Sequence, residues 1–314
     1  MNSMFAKIAT DLYLDETYIR SIAQNSDRLY KNYSIKKKDG GERIICQPSP
    51  ELKTLQYWVW KNILASFPIS NSAFAYQKGN SIRTHAEYHQ SSNFIFHTDI
   101  EGFFPHITFS MLRPVLDERQ NELLSKGLWF DDTYSAIDKI CFRYGRLTIG
   151  AVSSPVISNI VCYAMDVEIF NYCESNGYRY SRYADDIYIS SSDYLPIDVK
   201  DTLYKLLQKY TFGMNFSKTG FHSRKSRRKV TGVVLTSNGE LSIGFSERQK
   251  IKKMLYTYLV HENGEPRKIL GYLAYLKDIE PQTYDRFITK YSSYCNTDVI
   301  DALQEKCKQD KQDN

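Results

Sequence analysis

The sequence predicts an α+β fold, on three observations. Strand-like runs at 33–38 and 42–46 flank Asp39-Gly40-Gly41, a strong hairpin signal. A second pair, 178–182 and 187–191, flanks Tyr183-Ala184-Asp185-Asp186, and its later strand alternates apolar and polar residues through Ile187, Tyr188, Ile189 and Ser190. Beyond Phe245 the apolar period changes to that of a helix: Ile251, Leu255 and Leu259 make one face, and Ile269, Tyr272, Leu273 and Leu276 another.

Taken in order, the first thirty residues read as one or two short helices, with Asp15 capping a segment that carries Tyr18, Ile19 and Ile22. After the first hairpin, Ser49-Pro50 opens a helix, Ser as cap and Pro in the first turn, and Leu52, Leu55, Val59 and Ile63 give it an apolar stripe. From 94 to 245 strands and helices mix. Ser246 and Gln249 form a capping box for the helices that follow. The tail from Gln304 is polar and is expected to fray. The order is a small mixed N-terminal lobe, a central α+β lobe and a short helical C-terminal lobe.

The chain has 314 residues, 42% of them hydrophobic, which is enough for a sizeable core. Its 25 Tyr, 16 Phe and 3 Trp exceed ordinary usage, and the net charge of +5 suits a polyanionic partner. The six cysteines, Cys46, Cys141, Cys162, Cys173, Cys295 and Cys307, contain no Cys-x-x-Cys pair, which argues against structural zinc. Without a signal peptide or a disulfide-like spacing the expected compartment is the cytoplasm. No apolar run reaches the roughly 18 residues of a membrane span.

The chemistry concentrates in three carboxylates. Asp185 and Asp186 adjoin at a hairpin tip, where like charges repel unless a cation intervenes. Asp99 ends the strand-like run at 94–98. Three carboxylates from two strand ends suit Mg²⁺, a hard ion that takes oxygen ligands, and two such ions clamp the attacking and leaving oxygens of an in-line phosphoryl transfer.

Asp99-Ile100-Glu101-Gly102-Phe103-Phe104-Pro105, taken with the aromatic-Ala-Asp-Asp hairpin, resembles the palm of reverse transcriptases. The resemblance implies a right-hand polymerase fold, with N-terminal helices and fingers at 1–93, a palm at 94–245 that includes part of the fingers within 110–150, and a helical thumb and polar tail at 246–314. It implies that Asp99, the Ile100 carbonyl, Asp185 and Asp186 bind two Mg²⁺, with Mn²⁺ able to substitute, and that Phe104 is a steric gate against the ribose 2′-hydroxyl. Gly150-Ala151-Val152-Ser153-Ser154-Pro155 through Asn159 resembles the family's Gly-Ala-x-x-Ser-Pro-x-x-x-Asn signature, where Gly150 and Ala151 would let the incoming nucleotide approach the backbone. The usual Pro-Gln before that glycine is Thr148-Ile149 here. Lys218, in Met214-Asn215-Phe216-Ser217-Lys218, falls where the family carries a lysine near the triphosphate, suited to act as general acid. Lys37 and Arg43, around the Asp-Gly-Gly turn, would hold the triphosphate of a dNTP.

Two further segments narrow the resemblance to retron reverse transcriptases: Val230-Thr231-Gly232, and His85-Ala86-Glu87-Tyr88-His89 in place of Asn-Ala-x-x-His. With the basic run containing Arg224, Arg227 and Arg228, these are the expected nucleic-acid contacts, the two histidines being either structural or RNA-contacting. A retron enzyme is expected to bind a cognate structured non-coding RNA (msr-msd), to prime from a guanosine 2′-hydroxyl, and to make branched multicopy single-stranded DNA. Host RNase H would trim the template, and a separate effector or toxin protein would join it in anti-phage defence. The alternatives are an intron-like or diversity-generating reverse transcriptase, or a non-catalytic RNA-binding protein with a polymerase fold.

Overall fold

The computed structural model describes residues 3–36, 40–295 and 297–312. Its strands are β1 (Tyr30–Lys36), β2 (Glu42–Pro48), β3 (Phe94–Asp99), β4 (Arg179–Tyr183), β5 (Asp186–Ser191), β6 (Gly220–Ser223), β7 (Arg228–Val230), β8 (Val233–Leu235) and β9 (Leu241–Ser242). They form a two-stranded sheet β1-β2, a four-stranded sheet in the order β4-β5-β3-β6, and a three-stranded sheet β7-β8-β9. The chain divides into two compact units. The first is Met1–Lys78 with His97–Ile189 and Pro196–Gly220; the second is Gly79–Phe96 with Ser190–Leu195 and Phe221–Asn314.

The first unit opens with two helices, Met4–Leu12 and Glu16–Gln24. Asp15 caps the second, its carboxylate accepting from the Thr17 and Tyr18 amides. β1 and β2 pair antiparallel from Tyr30 opposite Pro48 to Lys36 opposite Glu42, as their patterns require; the turn residues 37–39, and with them Lys37, lie outside the described residues. The helix Pro50–Asn62 follows with Ser49 as cap and Pro in the first turn, and it buries Leu52, Leu55 and Val59.

β5 alternates apolar and polar residues in sequence, yet every residue from Ile187 to Ser191 is buried, so both faces of this inner strand are covered.

Among the described residues the second unit carries the helix Ile82–His89, the sheet β7-β8-β9, and the helices Phe245–His261, Pro266–Ile279, Pro281–Ser292 and Val299–Gln312. The expected Ser246–Gln249 capping box does not form. The helix begins two residues earlier, capped by Gly244 at φ 85° with no side-chain cap. The backbone conformation favours glycine there, since φ 85° is one that L side chains rarely adopt. The polar tail does not fray at Gln304; Val299 and Leu303 are buried and hold the last helix down. Among the described residues no helix is long and apolar enough to cross a membrane, and all six cysteines are free thiols.

Candidate active site

Backbone pairing brings the acids together. β4 ends at Tyr183 and β5 begins at Asp186, leaving Ala184-Asp185 as the turn. Ala184 sits at φ 58°, a conformation that costs a non-glycine residue about 1–2 kcal/mol. The Ile100 amide, just past the end of β3, donates to the Asp185 carbonyl at 2.8 Å. The Asn215 amide donates to the Asp99 carbonyl at 2.8 Å, and Glu101 donates to Gly213 at 2.9 Å. Three segments distant in sequence, around Asp99, Asp185 and Lys218, are thereby joined within the first unit.

The side chains divide their charge unequally. Asp99, 6% exposed, accepts from Lys218 Nζ at 2.7 Å and from Asn215 Nδ2 at 3.3 Å. Asp186 Oδ1 accepts from His97 Nε2 at 3.0 Å, and the imidazole lies 4.6 Å from the Tyr188 ring. Burial first, then the charges of Asp186 and Asp99, pushes the Asp185 carboxyl up to about 6 from an ordinary 3.8. The bond to Asp99 holds the Lys218 ammonium above its ordinary value. Among the described residues no three His, Cys, Asp or Glu side chains stand in a ligating arrangement, since Asp99 and Asp186 are turned toward Lys218 and His97. The chemistry of the donors nonetheless fits a hard divalent cation: they are oxygens only, and one carboxyl is destabilised as an anion by its two neighbours.

An aromatic wall lies beside these acids. Phe104 is half-buried, 6.4 Å from the Tyr76 ring and 5.3 Å from Phe103. Tyr76 is 53% exposed at φ 64°, and its phenol feels the negative charge of Asp185 and the positive charge of Arg43. Arg43 is exposed on β2.

Gly150 is closely approached by protein backbone. At φ 115° a Cβ would lie 2.8 Å from the Cys46 carbonyl and 3.0 Å from Ile45 Cγ2. β2 is tied down there by the Cys46 amide, which donates to the Ile149 carbonyl at 2.8 Å. Ala151 is buried directly after it.

In the second unit several expected nucleic-acid contacts are interior. His85 and His89 are fully buried and 5.5 Å apart edge to face. His85 Nδ1 meets Thr231 Oγ1 at 3.2 Å, so the two segments that resemble retron elements are in contact. His89 Nδ1 meets Ser190 Oγ at 2.7 Å, and Ser190 meets Ser92 at 2.9 Å. Both histidines are thus buried and hydrogen-bonded within the second unit. Arg228 is also buried, donating to the carbonyls of Ser92 and Thr236, and Val230 is buried beside it. The strand period explains the split along β7: Arg228 and Val230 face inward and Lys229 outward. Arg224, Arg227 and Gly232 are exposed and Thr231 half-exposed, the last two at φ 94° and 44°.

Sequence reasoning missed His97, Tyr76 and a buried ion pair, Asp166–Arg182, whose charged atoms are 2.7 Å apart at zero exposure. A signal existed for His97, which stands two residues before Asp99 and so on the same face of its strand.

The family model described as "Reverse transcriptase (RNA-dependent DNA polymerase)" matches residues 35–235. The Retron Ec86 reverse transcriptase of Escherichia coli is 31% identical over 278 residues, covering 87% of this chain and 84% of that protein. The Retron Ec83 reverse transcriptase of the same organism is 32% identical over 277 residues, covering 83% and 86%. Among solved structures, that of a foamy viral protease-reverse transcriptase in complex with double-stranded DNA matches at TM-score 0.48 and 13% identity, over 84% of this chain and 38% of that one, a likeness too loose to carry an argument. On the family match and the two relatives, the chain belongs to the reverse transcriptases, RNA-directed DNA polymerases with a polymerase fold, and among them to the retron enzymes.

Proposed function

We propose that this enzyme copies part of a cognate structured msr-msd RNA, starting from the 2′-hydroxyl of a guanosine, into branched multicopy single-stranded DNA. The observation that carries the reading is the Ile100–Asp185 backbone bond, which gathers Asp99, Asp185 and Asp186 at one place. Asp99 and Asp185 would hold the divalent cations, Mg²⁺ or Mn²⁺, with the Ile100 carbonyl and Asp186 in support. Bound there, such ions supply charge stabilisation to the attacking and leaving oxygens.

The chain's own residues do the rest. Lys218, its ammonium held protonated beside Asp99, is suited to give a proton to the departing pyrophosphate. The Phe104 ring, backed by Tyr76, would crowd a 2′-hydroxyl and so select dNTPs. Arg43, next to Tyr76, would meet the triphosphate, together with Lys37. Exposed Arg224, Arg227, Thr231 and Gly232 would contact the RNA. In this reading 1–93 carries the fingers, 94–245 the palm with part of the fingers, and 246–314 the thumb. The enzyme would act in the cytoplasm, with host RNase H trimming the hybrid and a separate effector protein joining it in anti-phage defence.

The test is extension of a primer on an RNA template with labelled dNTPs, with Asp185→Asn as control, followed by debranching of the nucleic acid that copurifies with the protein. Synthesis by Asp185→Asn, or copurifying DNA without a 2′,5′ linkage, refutes the corresponding part of the proposal.

A further inference from the structure

Arg182 precedes the hairpin tip and is fully buried. Its guanidinium forks onto Asp166, Nε to Oδ1 at 2.8 Å and Nη2 to Oδ2 at 2.7 Å. Burial opposes its charge, and the Asp166 carboxylate more than offsets that opposition, so the guanidinium stays charged. Asp166 also accepts from the Tyr180 hydroxyl at 2.7 Å. Folding needs nothing further of this pair, yet Arg182 has donors left over, and they reach the site. Nη1 donates to the Ala184 carbonyl at 3.0 Å, the residue held at φ 58° immediately before Asp185. Nη2 reaches Asn159 Oδ1 at 3.2 Å, while Asn159 Nδ2 donates to the Ala75 carbonyl at 3.0 Å, one residue before Tyr76. The guanidinium carbon lies 5.7 Å from the Phe103 ring, beside Phe104.

The backbone of Arg182 is fixed as firmly as its side chain. Its amide donates to the Ser72 carbonyl at 2.7 Å and its carbonyl accepts from the Phe74 amide at 2.8 Å. One immobile cation thus touches the turn that presents Asp185, the segment that presents Tyr76 and the ring next to Phe104.

We propose that Arg182 is a positioning residue for nucleotide transfer: through the Ala184 carbonyl it holds the strained turn that aims Asp185, and through Asn159 it sets Tyr76 against Phe104. The inference rests on the reading of Asp185 as catalytic. A planar fork is needed, because four acceptors on three segments must be met by one group. Lysine keeps the charge facing Asp166 and loses the fork.

The test compares Arg182→Lys with the triple variant Arg182→Met/Asp166→Leu/Tyr180→Phe, which replaces the buried polar set with apolar groups of similar volume and so is expected to stay folded. Primer extension on an RNA template gives kcat and the dNTP KM. Fluorescence anisotropy gives affinity for the RNA–DNA duplex, and thermal melting reports the fold. The expected result is that both variants melt cooperatively and bind duplex within about twofold of the parent, while kcat falls at least tenfold. In Arg182→Lys the preference for dNTP over rNTP also falls. Unchanged kcat in either folded variant overturns the proposal. So does a parallel loss of kcat and duplex affinity, or collapse of the melt in both, since each assigns Arg182 to the fold alone. Asp185→Asn runs alongside: if it remains active the reading of the site has failed, whereas a dead Asp185→Asn beside fully active Arg182 variants sinks only the positioning role.

Discussion

Replacing Asp185 with Asn should abolish synthesis and stabilise the metal-free protein. In the folded chain the Asp185 pKa is raised from 3.8 to about 6 by burial and by Asp186 and Asp99. Because the folded value lies above the unfolded one, the stability this group leaves intact is fully present below pH ~4. It is lost as pH rises through about 6, where the folded state must ionise a carboxyl that resists ionisation. A gap of about two pKa units at ~1.4 kcal/mol each comes to roughly 3 kcal/mol withheld at pH 8. Asn has no charge to repel and recovers that amount. At ~2 °C per kcal/mol, suited to a chain of this size, the variant should melt ~6 °C above the parent in EDTA at pH 8 and level with it near pH 4. Adding Mg²⁺ at pH 8 should raise the parent's Tm by mass action and leave the variant's nearly unchanged. Thermal denaturation across that pH range, with and without the ion, is the assay. An Asp185→Asn protein that melts at or below the parent in EDTA at pH 8 refutes the claim that burial and the two neighbouring acids disfavour the Asp185 anion.

Other substitutions test separate parts. Phe104→Ala should cut discrimination against rNTPs at least tenfold, worth ~1.4 kcal/mol, with dNTP KM little changed; matched dNTP and rNTP incorporation kinetics read it. Gly150→Ala puts a Cβ 2.8 Å from the Cys46 carbonyl at φ 115° and should cost ~2–4 kcal/mol in denaturant unfolding, because the obstacle is backbone and cannot swing aside. The double change Arg224→Ala/Arg227→Ala should lower the slope of log affinity for RNA against log salt by about 1.4–1.8 with little change in Tm. Arg228→Ala should do the reverse, losing ~2–4 kcal/mol by stranding the buried carbonyls of Ser92 and Thr236 while leaving the salt slope unchanged.

The fold was legible wherever local chemistry decided it. Asp15 and Ser49 cap the helices their sequences assign them, and β1 and β2 pair antiparallel as the hairpin signal requires. The capping box at Ser246 misled because the helix starts from Gly244 at φ 85°, which places Ser246 inside the first turn instead of at the cap. β5 shows the limit of alternation, which reports one buried face, whereas both faces of this strand are buried. Its Ser190 is buried as well as its isoleucines, satisfied by His89 and Ser92.

The proposed site was easier to read in its ionisable groups than in their supports. Asp99, Asp185 and Lys218 stand out in sequence as charged groups at strand ends and in a short motif, and the backbone brings their segments together. Arg182 gives no such signal. In sequence it is one charged residue in a strand, indistinguishable from a solvated arginine, and its partners lie at Asp166 and Asn159 on two successive helices. Nothing local says that those helices pack behind the strand. The same blindness works in reverse for Arg228, which shares a basic run with Arg224 and Arg227 and yet turns inward. A run of like charge in sequence therefore states what could face a phosphate backbone, and the pleat of β7 decides which members do. Both arginines are buried with their guanidinium donors spent, Arg182 on the Asp166 carboxylate, the Asn159 side chain and the Ala184 carbonyl just before Asp185, and Arg228 on the carbonyls of Ser92 and Thr236. Burying a guanidinium costs several kcal/mol, more than a core alone would justify. The expense is explained if rigid placement of those segments is what the enzyme requires. By that argument buried arginines, more than exposed ones, mark the parts of this chain that must not move.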